Sequence, residues 1–460
     1  PHVPSTPARA RVQYKSCCRE RGVAVANQKR DLLDDLIDIQ SDWQAFSNPF
    51  GDIADSLAAD PSQRKVFDPA DYKEKPFANS NRCLCTASGR NDVCTRCLDV
   101  CPVNAIEIHK QSVIIGDDCR KCGLCAAACP TETISTRRHM PRQVYDKIAR
   151  AASAYEHCYV TCTRALKRLP KDNEIVLGCV GAISRDLWFS LMADYDNISV
   201  YLPVGICDRC KTTTGEEFYC DAIGTAEEWA QASLGLVADE SEMTHDFTRE
   251  YKRSQFMSSA VHSAERLLTR TNPALAGAKA VANKISAHAS RLDQLQRTLE
   301  GAVGAKTSNN RQRMLTQNRK LVMGALQHDE GLAKFIDLTV PVCDASKCTM
   351  CGDCAKVCTT RALDLDVNGH ITIQSSYCVS CGACVKVCED GALAMEPMDV
   401  SELIVPDPAA EELARKKAQA KVEAQKYIEQ GKKQLSRAAD VLEGLGTSDS
   451  GANDSKTSKK

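Results

Sequence analysis

The sequence predicts an α+β multidomain chain, in which two small cysteine-run modules flank a small α/β domain with its own cysteines and a helical hairpin segment. Three observations carry this reading. Sixteen of the 26 cysteines fall into four short runs, which pair into modules at residues 81–138 and 339–399. Residues 139–232 alternate short apolar runs with helical patterns, as βαβ units do. Residues 233–338 carry an apolar stripe at steps of three and four, as packed helices do. Terminal segments 1–80 and 400–460 complete the division.

In the first 80 residues one helical pattern stands out, Leu32, Leu33, Leu36 and Ile37, between polar, proline-containing connections. This segment is expected to wrap the core or a partner. Vicinal Cys17 and Cys18 match no cysteine run and read as free thiols, as does Cys343. The sequence opens at Pro1 without a methionine, which leaves room for a removed segment, an export signal included.

The first module holds Cys119-x2-Cys122-x2-Cys125-x3-Cys129 before Pro130, and upstream Cys85-x8-Cys94-x2-Cys97-x3-Cys101 before Pro102. The second holds Cys348-x2-Cys351-x2-Cys354-x3-Cys358 and Cys378-x2-Cys381-x2-Cys384-x3-Cys388, with Thr359 and Glu389 in place of the prolines. A cubane iron–sulfur cluster needs thiolates converging on its irons, which a tight three-cysteine loop and one remote cysteine supply; thiolate is a soft ligand suited to it. Structural zinc also uses Cys-x2-Cys pairs, but it does not need three cysteines at this spacing plus a fourth. Each fourth cysteine opens a similar phrase, such as Cys101-Pro-Val-Asn-Ala-Ile and Cys358-Thr-Thr-Arg-Ala-Leu, a short helical turn running into a strand. Residues 363–373 alternate apolar and polar around Asn368-Gly369, a pair able to take positive φ at both turn positions, so a hairpin is expected beside the cysteines.

These two regions, about a quarter of the chain, closely resemble the bacterial 2(4Fe-4S) ferredoxin family. The resemblance implies ferredoxin-like dicluster modules with crossed ligation, the fourth cysteine of each run serving the other run's cluster. It assigns Cys85, Cys94, Cys97 and Cys129 to one cluster and Cys119, Cys122, Cys125 and Cys101 to the next. In the second module the sets are Cys348, Cys351, Cys354 and Cys388, then Cys378, Cys381, Cys384 and Cys358. The residues exchanged for proline touch no ligand. In the first run Cys83 and Cys85 compete for one role, and ferredoxin domains with the same longer gap favour Cys85.

Within 139–232, apolar runs at 158–161, 174–178 and 198–204, with a helical pattern at 185–193, suit parallel βαβ units on a Rossmann-like scaffold. Cys162, Cys179, Cys207 and Cys210 would then sit just beyond the C-terminal ends of successive strands, where open α/β sheets build ligand sites. Four thiols there suffice for zinc or for a fifth iron–sulfur cluster, whereas unliganded cysteines would pack as small hydrophobes. Cys158 and Cys220 could join or replace a ligand. Leu177-Gly-Cys-Val-Gly together with Cys207-Asp-Arg-Cys210 is similar to the small iron–sulfur subunit of methanogen-type hydrogenases, which implies a cluster held by scattered cysteines.

The helical segment carries Val281, Ile285, His288, Leu292, Leu295 and Leu299 along one stripe, the seam of an antiparallel hairpin, with His288 as a packed residue. Ser308-Asn309-Asn310 breaks the pattern before a second helix near 314–326. Gly301-Ala-Val-Gly-Ala-Lys-Thr has the wrong glycine spacing for a phosphate loop and reads as a helix end. At the C-terminus Asp407 and Pro408 open a lysine-rich helical pattern, and 446–460 reads as disordered.

Formal net charge of -1, a pI near 6.8 and 5% aromatic residues give neither a basic field nor a base-stacking surface, so no nucleic-acid partner is expected. No apolar run approaches a membrane span, and the metal-type cysteine spacing suits a reducing cytoplasm rather than a disulfide scaffold. No dinucleotide fingerprint, zinc-peptidase histidine pair or nucleophile elbow is present. The expected function is that of a polyferredoxin-like electron-transfer subunit with four 4Fe-4S clusters, a fifth iron–sulfur or zinc site in the middle, and no catalysis of its own. The resemblance implies, as partner, a catalytic oxidoreductase subunit with a flavin, molybdenum or nickel–iron centre, or a soluble ferredoxin, in anaerobic metabolism. Two rivals stand beside it: a reductase whose middle cysteine domain is catalytic, and a redox-sensing scaffold.

Overall fold

The computed structural model describes residues 66–252 and 274–405, with Lys416, Gln419 and Lys426 as isolated helical positions further on. The expectations for Leu32 to Ile37, Cys17, Cys18, Asp407, Pro408 and the tail lie outside the described residues.

The first module runs through β1 (Phe77–Ala78), α1 (Leu84–Ser88), α2 (Arg96–Asp99), β2 (Ile106–Ile108), β3 (Val113–Ile115), α3 (Leu124–Ala128) and β4 (Ile134–Ser135). Strands β2 and β3 form an antiparallel hairpin with Glu107 opposite Ile114, and β1 pairs with β4 through Ala78 and Ile134. Helix α1 is the longer gap of the first cysteine run, folded into a turn and a half and stopped by Gly89 at φ 68°. The left-handed backbone there is what a glycine end cap provides.

The middle domain begins with α4 (Pro141–Ala154) and continues through β5 (Cys158–Cys162), β6 (Glu174–Leu177), α5 (Arg185–Asp194), β7 (Ile198–Tyr201), α6 (Gly215–Ala230) and β8 (Gly235–Val237). The four strands are all parallel in the order β6-β5-β7-β8. The central strand β5 is buried at every position, as a strand covered on both faces must be. Strand β8 lies past the boundary expected at residue 232; three residues beginning with glycine carry no periodic signal.

Helix α7 (Ala274–Val303) and helix α8 (Gln317–His328) form the hairpin. On α7 the expected stripe is buried: Ile285, Leu292, Leu295 and Leu299 are all under 10% exposed, each such leucine contributing roughly 1.5–3 kcal/mol. His288 stacks on Tyr145 at 4.6 Å, and burial lowers its pKa to about 4, which keeps the ring neutral. Gly304, at φ 84°, ends α7, and a Cβ on Gly324 of α8 would stand 2.4 Å from Leu292 Cδ2. The hairpin is therefore no mere spacer. Its leucines share one core with Trp188, Phe189 and Trp229 of the middle domain.

The second module contains β9 (Thr339–Cys343), α9 (Asp353–Val357), β10 (Leu363–Leu365), β11 (Ile371–Ile373), α10 (Ala383–Lys386) and β12 (Leu393–Pro397). Its plan repeats the first: outer strands β9 and β12 pair, and β10 and β11 form the inner hairpin. Only Gly369 of the Asn368-Gly369 pair takes positive φ. Asp366 binds the N–H of Asn368 and of His370, giving a three-residue loop with glycine in the left-handed position in place of the two-residue turn expected.

Candidate metal centres

Each cysteine loop is held by backbone that ordinary residues rarely adopt. Lys121, Met350 and Ser380, the residues before the second cysteine of three runs, have φ of 55°, 60° and 51°, and the glycines just after it, Gly123, Gly352 and Gly382, are left-handed as well. Three positions past each fourth cysteine, Asn104, Glu132, Arg361 and Gly391 do the same. The first run lacks this device at Cys94, where the longer gap enters.

These bends turn backbone N–H groups onto sulfur. Ala105 donates to Cys101, Thr133 to Cys129 and Ala392 to Cys388, each at 3.3 Å, and Lys121 donates to Cys119 at 3.4 Å. Backbone donors to a ligating sulfur tune the metal that it holds.

The fourth cysteines cross between runs. Cys129 lines one cavity with Cys94 and Cys97, and Cys388 lines another with Cys348, Cys351 and Cys354; each is about 360 Å³ of unfilled space, partly open to solvent. Cys101 lies among Cys119, Cys122 and Cys125, whose charges bear on one another. Likewise Cys358 neighbours Cys378, Cys381 and Cys384. Burial, then the neighbouring thiols, raise three of them: Cys97 and Cys381 to about 12, Cys354 to about 11. A metal ion bound to such thiols takes the place of their protons, so metal binding is coupled to deprotonation.

In the first cavity the structure departs from the spacing. Cys83 lines the void, and Cys85, the residue favoured from sequence, does not. Cys85 occupies the first turn of α1 and is 1% exposed, with its sulfur directed to the carbonyls of Cys94 at 3.1 Å and Asn91 at 3.6 Å. Cys83, on extended backbone just before the helix, is the more acidic of the pair because Cys85 hydrogen-bonds it, its pKa falling to about 6. Cys343, read as a free thiol, closes β9 and hydrogen-bonds with Cys348.

In the middle domain Cys162 ends β5, Cys179 follows β6, and Cys207 and Cys210 sit in the loop after β7. All four line one cavity of about 380 Å³ at the C-terminal edge of the sheet, with Tyr219 beside Cys207. Burial raises Cys179 to about 12 and Cys207 to about 11. Cys158 begins the same strand, fully buried, with its sulfur toward Ile148, and neither it nor Cys220 lines the cavity. Among the described residues no three His, Cys, Asp or Glu side chains stand close enough for one metal ion.

The sites are linked by packing. A Cβ on Gly178 would lie 2.6 Å from the Lys121 carbonyl, and one on Gly123 would lie 2.7 Å from the Ala182 Cβ, so the loops of Cys179 and Cys122 pack closely at these two glycines. Gly178→Ala should destabilise the protein by about 2 kcal/mol, since a carbonyl cannot rotate aside; a denaturant midpoint equal to wild type would refute the contact. On the opposite flank α1 packs on α9, with Leu84, Cys85 and Val93 sharing a core with Val357, Ala383 and Val387. Lys386 Nζ donates to the Val93 carbonyl at 2.9 Å. The two modules thus pack directly, and the loop of Cys179 beside the middle cavity also abuts the first.

The comparisons bear on the two cysteine modules. A model of the 4Fe-4S dicluster domain matches residues 90–133 and again 347–392. A ferredoxin of Methanothermococcus thermolithotrophicus is 35% identical over 46 residues, 10% of this chain and 77% of that protein. An uncharacterized ferredoxin of Methanocaldococcus jannaschii is 37% identical over 43 residues, 9% of this chain and 69% of its own. No solved structure matches.

Proposed function

Since the chain belongs to the ferredoxin family, with two 4Fe-4S dicluster domains that imply four clusters and an electron-transfer role, we propose that it is a polyferredoxin-like subunit of an oxidoreductase complex. A bound 4Fe-4S cluster supplies one-electron chemistry. The chain's part is to hold the thiolates, exclude water and set the local charge. The proposed ligand sets are Cys83, Cys94, Cys97 and Cys129; Cys119, Cys122, Cys125 and Cys101; Cys348, Cys351, Cys354 and Cys388; and Cys378, Cys381, Cys384 and Cys358. The observation that carries this reading is the pair of voids each ringed by one run and the fourth cysteine of the other.

In the same reading Cys162, Cys179, Cys207 and Cys210 hold a fifth iron–sulfur cluster. Their void matches the ferredoxin cavities in size, and all four thiols line it. Contact between the Cys179 and Cys122 loops makes this site one end of the conduit, and the exposed Cys351 makes the other. Among the described residues no helix is long and apolar enough to cross a membrane. The partner is then a catalytic subunit carrying a flavin, molybdenum or nickel–iron centre.

Iron, zinc and acid-labile sulfide measured on anaerobically purified protein test the proposal, with EPR after dithionite reduction. About 18 to 20 iron per chain without zinc is expected. About 16 iron with one zinc would make the middle domain a structural element, and about 16 with no zinc would leave its thiols unliganded.

A further inference from the structure

Arg319 is 5% exposed and lies in the first turn of α8, after the N-cap Thr316. This is an unfavourable place for a cation, because burial strips its hydration and the helix N-terminus is itself positive. The guanidinium Nη2 donates to the backbone carbonyl of Cys378, and among the described residues no carboxylate forms an ion pair with it. Asp186, the acid whose charge bears on it, is held by Arg185, whose own cation opposes it. The adjoining backbone is tied down too: the N–H of Asn318 donates to Glu132 at 2.9 Å, and the Asn318 side chain accepts from Ser184 at 2.9 Å. The cation is therefore fixed against the second module.

What faces it is the thiol set of Cys358, Cys378, Cys381 and Cys384. Arg319 acts on Cys378, and Arg96 of the first module acts on Cys381 in the same sense. The companion site differs: its Cys351 is exposed, and Asp353 and Asp390 line its cavity. A four-thiolate cluster gains negative charge on reduction, and a fixed cation in a dry surrounding stabilises that form far more than one in water does.

We propose that Arg319 is a potential-setting residue whose buried cation, in no ion pair, makes the site of Cys358, Cys378, Cys381 and Cys384 easier to reduce than its companion of Cys348, Cys351, Cys354 and Cys388. The inference rests on the ligand sets proposed above. The step is a single electron arriving from a reductant, with no bond made or broken and the cation remaining in place.

EPR-monitored redox titration of the anaerobic full-length protein tests it, with C381S and C348S marking one cluster each. In otherwise wild-type protein the C381S-marked cluster should be reduced before the C348S-marked one. R319M should weaken its electron affinity at least tenfold, a midpoint about 59 mV lower for one electron, while R319K should restore most of the loss. A C381S-marked cluster reduced after the C348S-marked one overturns the proposal, even if R319M does not fold. So does an R319M protein with wild-type midpoints, or an R319K protein as shifted as R319M. If C381S and C348S mark the same cluster, the ligand sets fail and not the charge argument.

Discussion

Cys129→Ala should remove the cluster of the run that does not contain it. Cys129 ends the run beginning at Cys119, yet it lines the cavity of Cys94 and Cys97. Its backbone explains the reach: Cys129 closes α3 in an extended conformation, and left-handed Glu132 turns the chain back so that Thr133 donates to the Cys129 sulfur. The variant should lose about four iron and four sulfide per chain, and one EPR signal with them, while the cluster of Cys119, Cys122, Cys125 and Cys101 persists. Loss confined instead to that second cluster would mean uncrossed ligation. Part of the expected loss is stability, because the remaining buried thiols would each have to stay protonated in a site shaped for a cation.

Cys83→Ser and Cys85→Ser should part sharply. Cys83 stands on extended backbone at the cavity wall, and its thiol is the acidic member of the pair. Cys85 is an α1 residue buried in the core shared by the two modules, with its hydrogen bond to Cys83, and then burial, raising its pKa. C83S should therefore lose about four iron, and C85S should keep its full iron content with a small loss of stability from placing a hydroxyl where sulfur packs. Iron analysis of the two proteins side by side decides. The reverse pattern would return the ligand to Cys85.

Much of the metal chemistry was legible without coordinates, because ligand spacing in a tight loop is a local property. Three runs with the same cadence, and the similar phrase after each of the four fourth cysteines, repeat in the structure as left-handed residues at equivalent positions. The convergence of Cys162, Cys179, Cys207 and Cys210 was legible as well: the ends of parallel strands lie along one edge of a sheet, and three of the strands could be read from apolar runs. The stripe on α7 was visible because helical periodicity needs no partner to be recognised. The turn at Asn368-Gly369 was placed correctly and typed wrongly, since Asp366 captures two N–H groups and selects a longer loop.

By itself the sequence determined which residues can be soft ligands, how they group, and that helices and a parallel sheet lie between the groups. Tertiary structure alone decided which of Cys83 and Cys85 faces a void, because that depends on α1 packing against α9, far along the chain. It alone revealed that β8 completes the sheet, that the loops of Cys179 and Cys122 meet at glycines, and that Arg319 is stripped of water beside Cys378. Ligand identity resides in the side chain and its near neighbours, whereas solvation, close approach and the field of a fixed charge arise only where distant segments are pressed together.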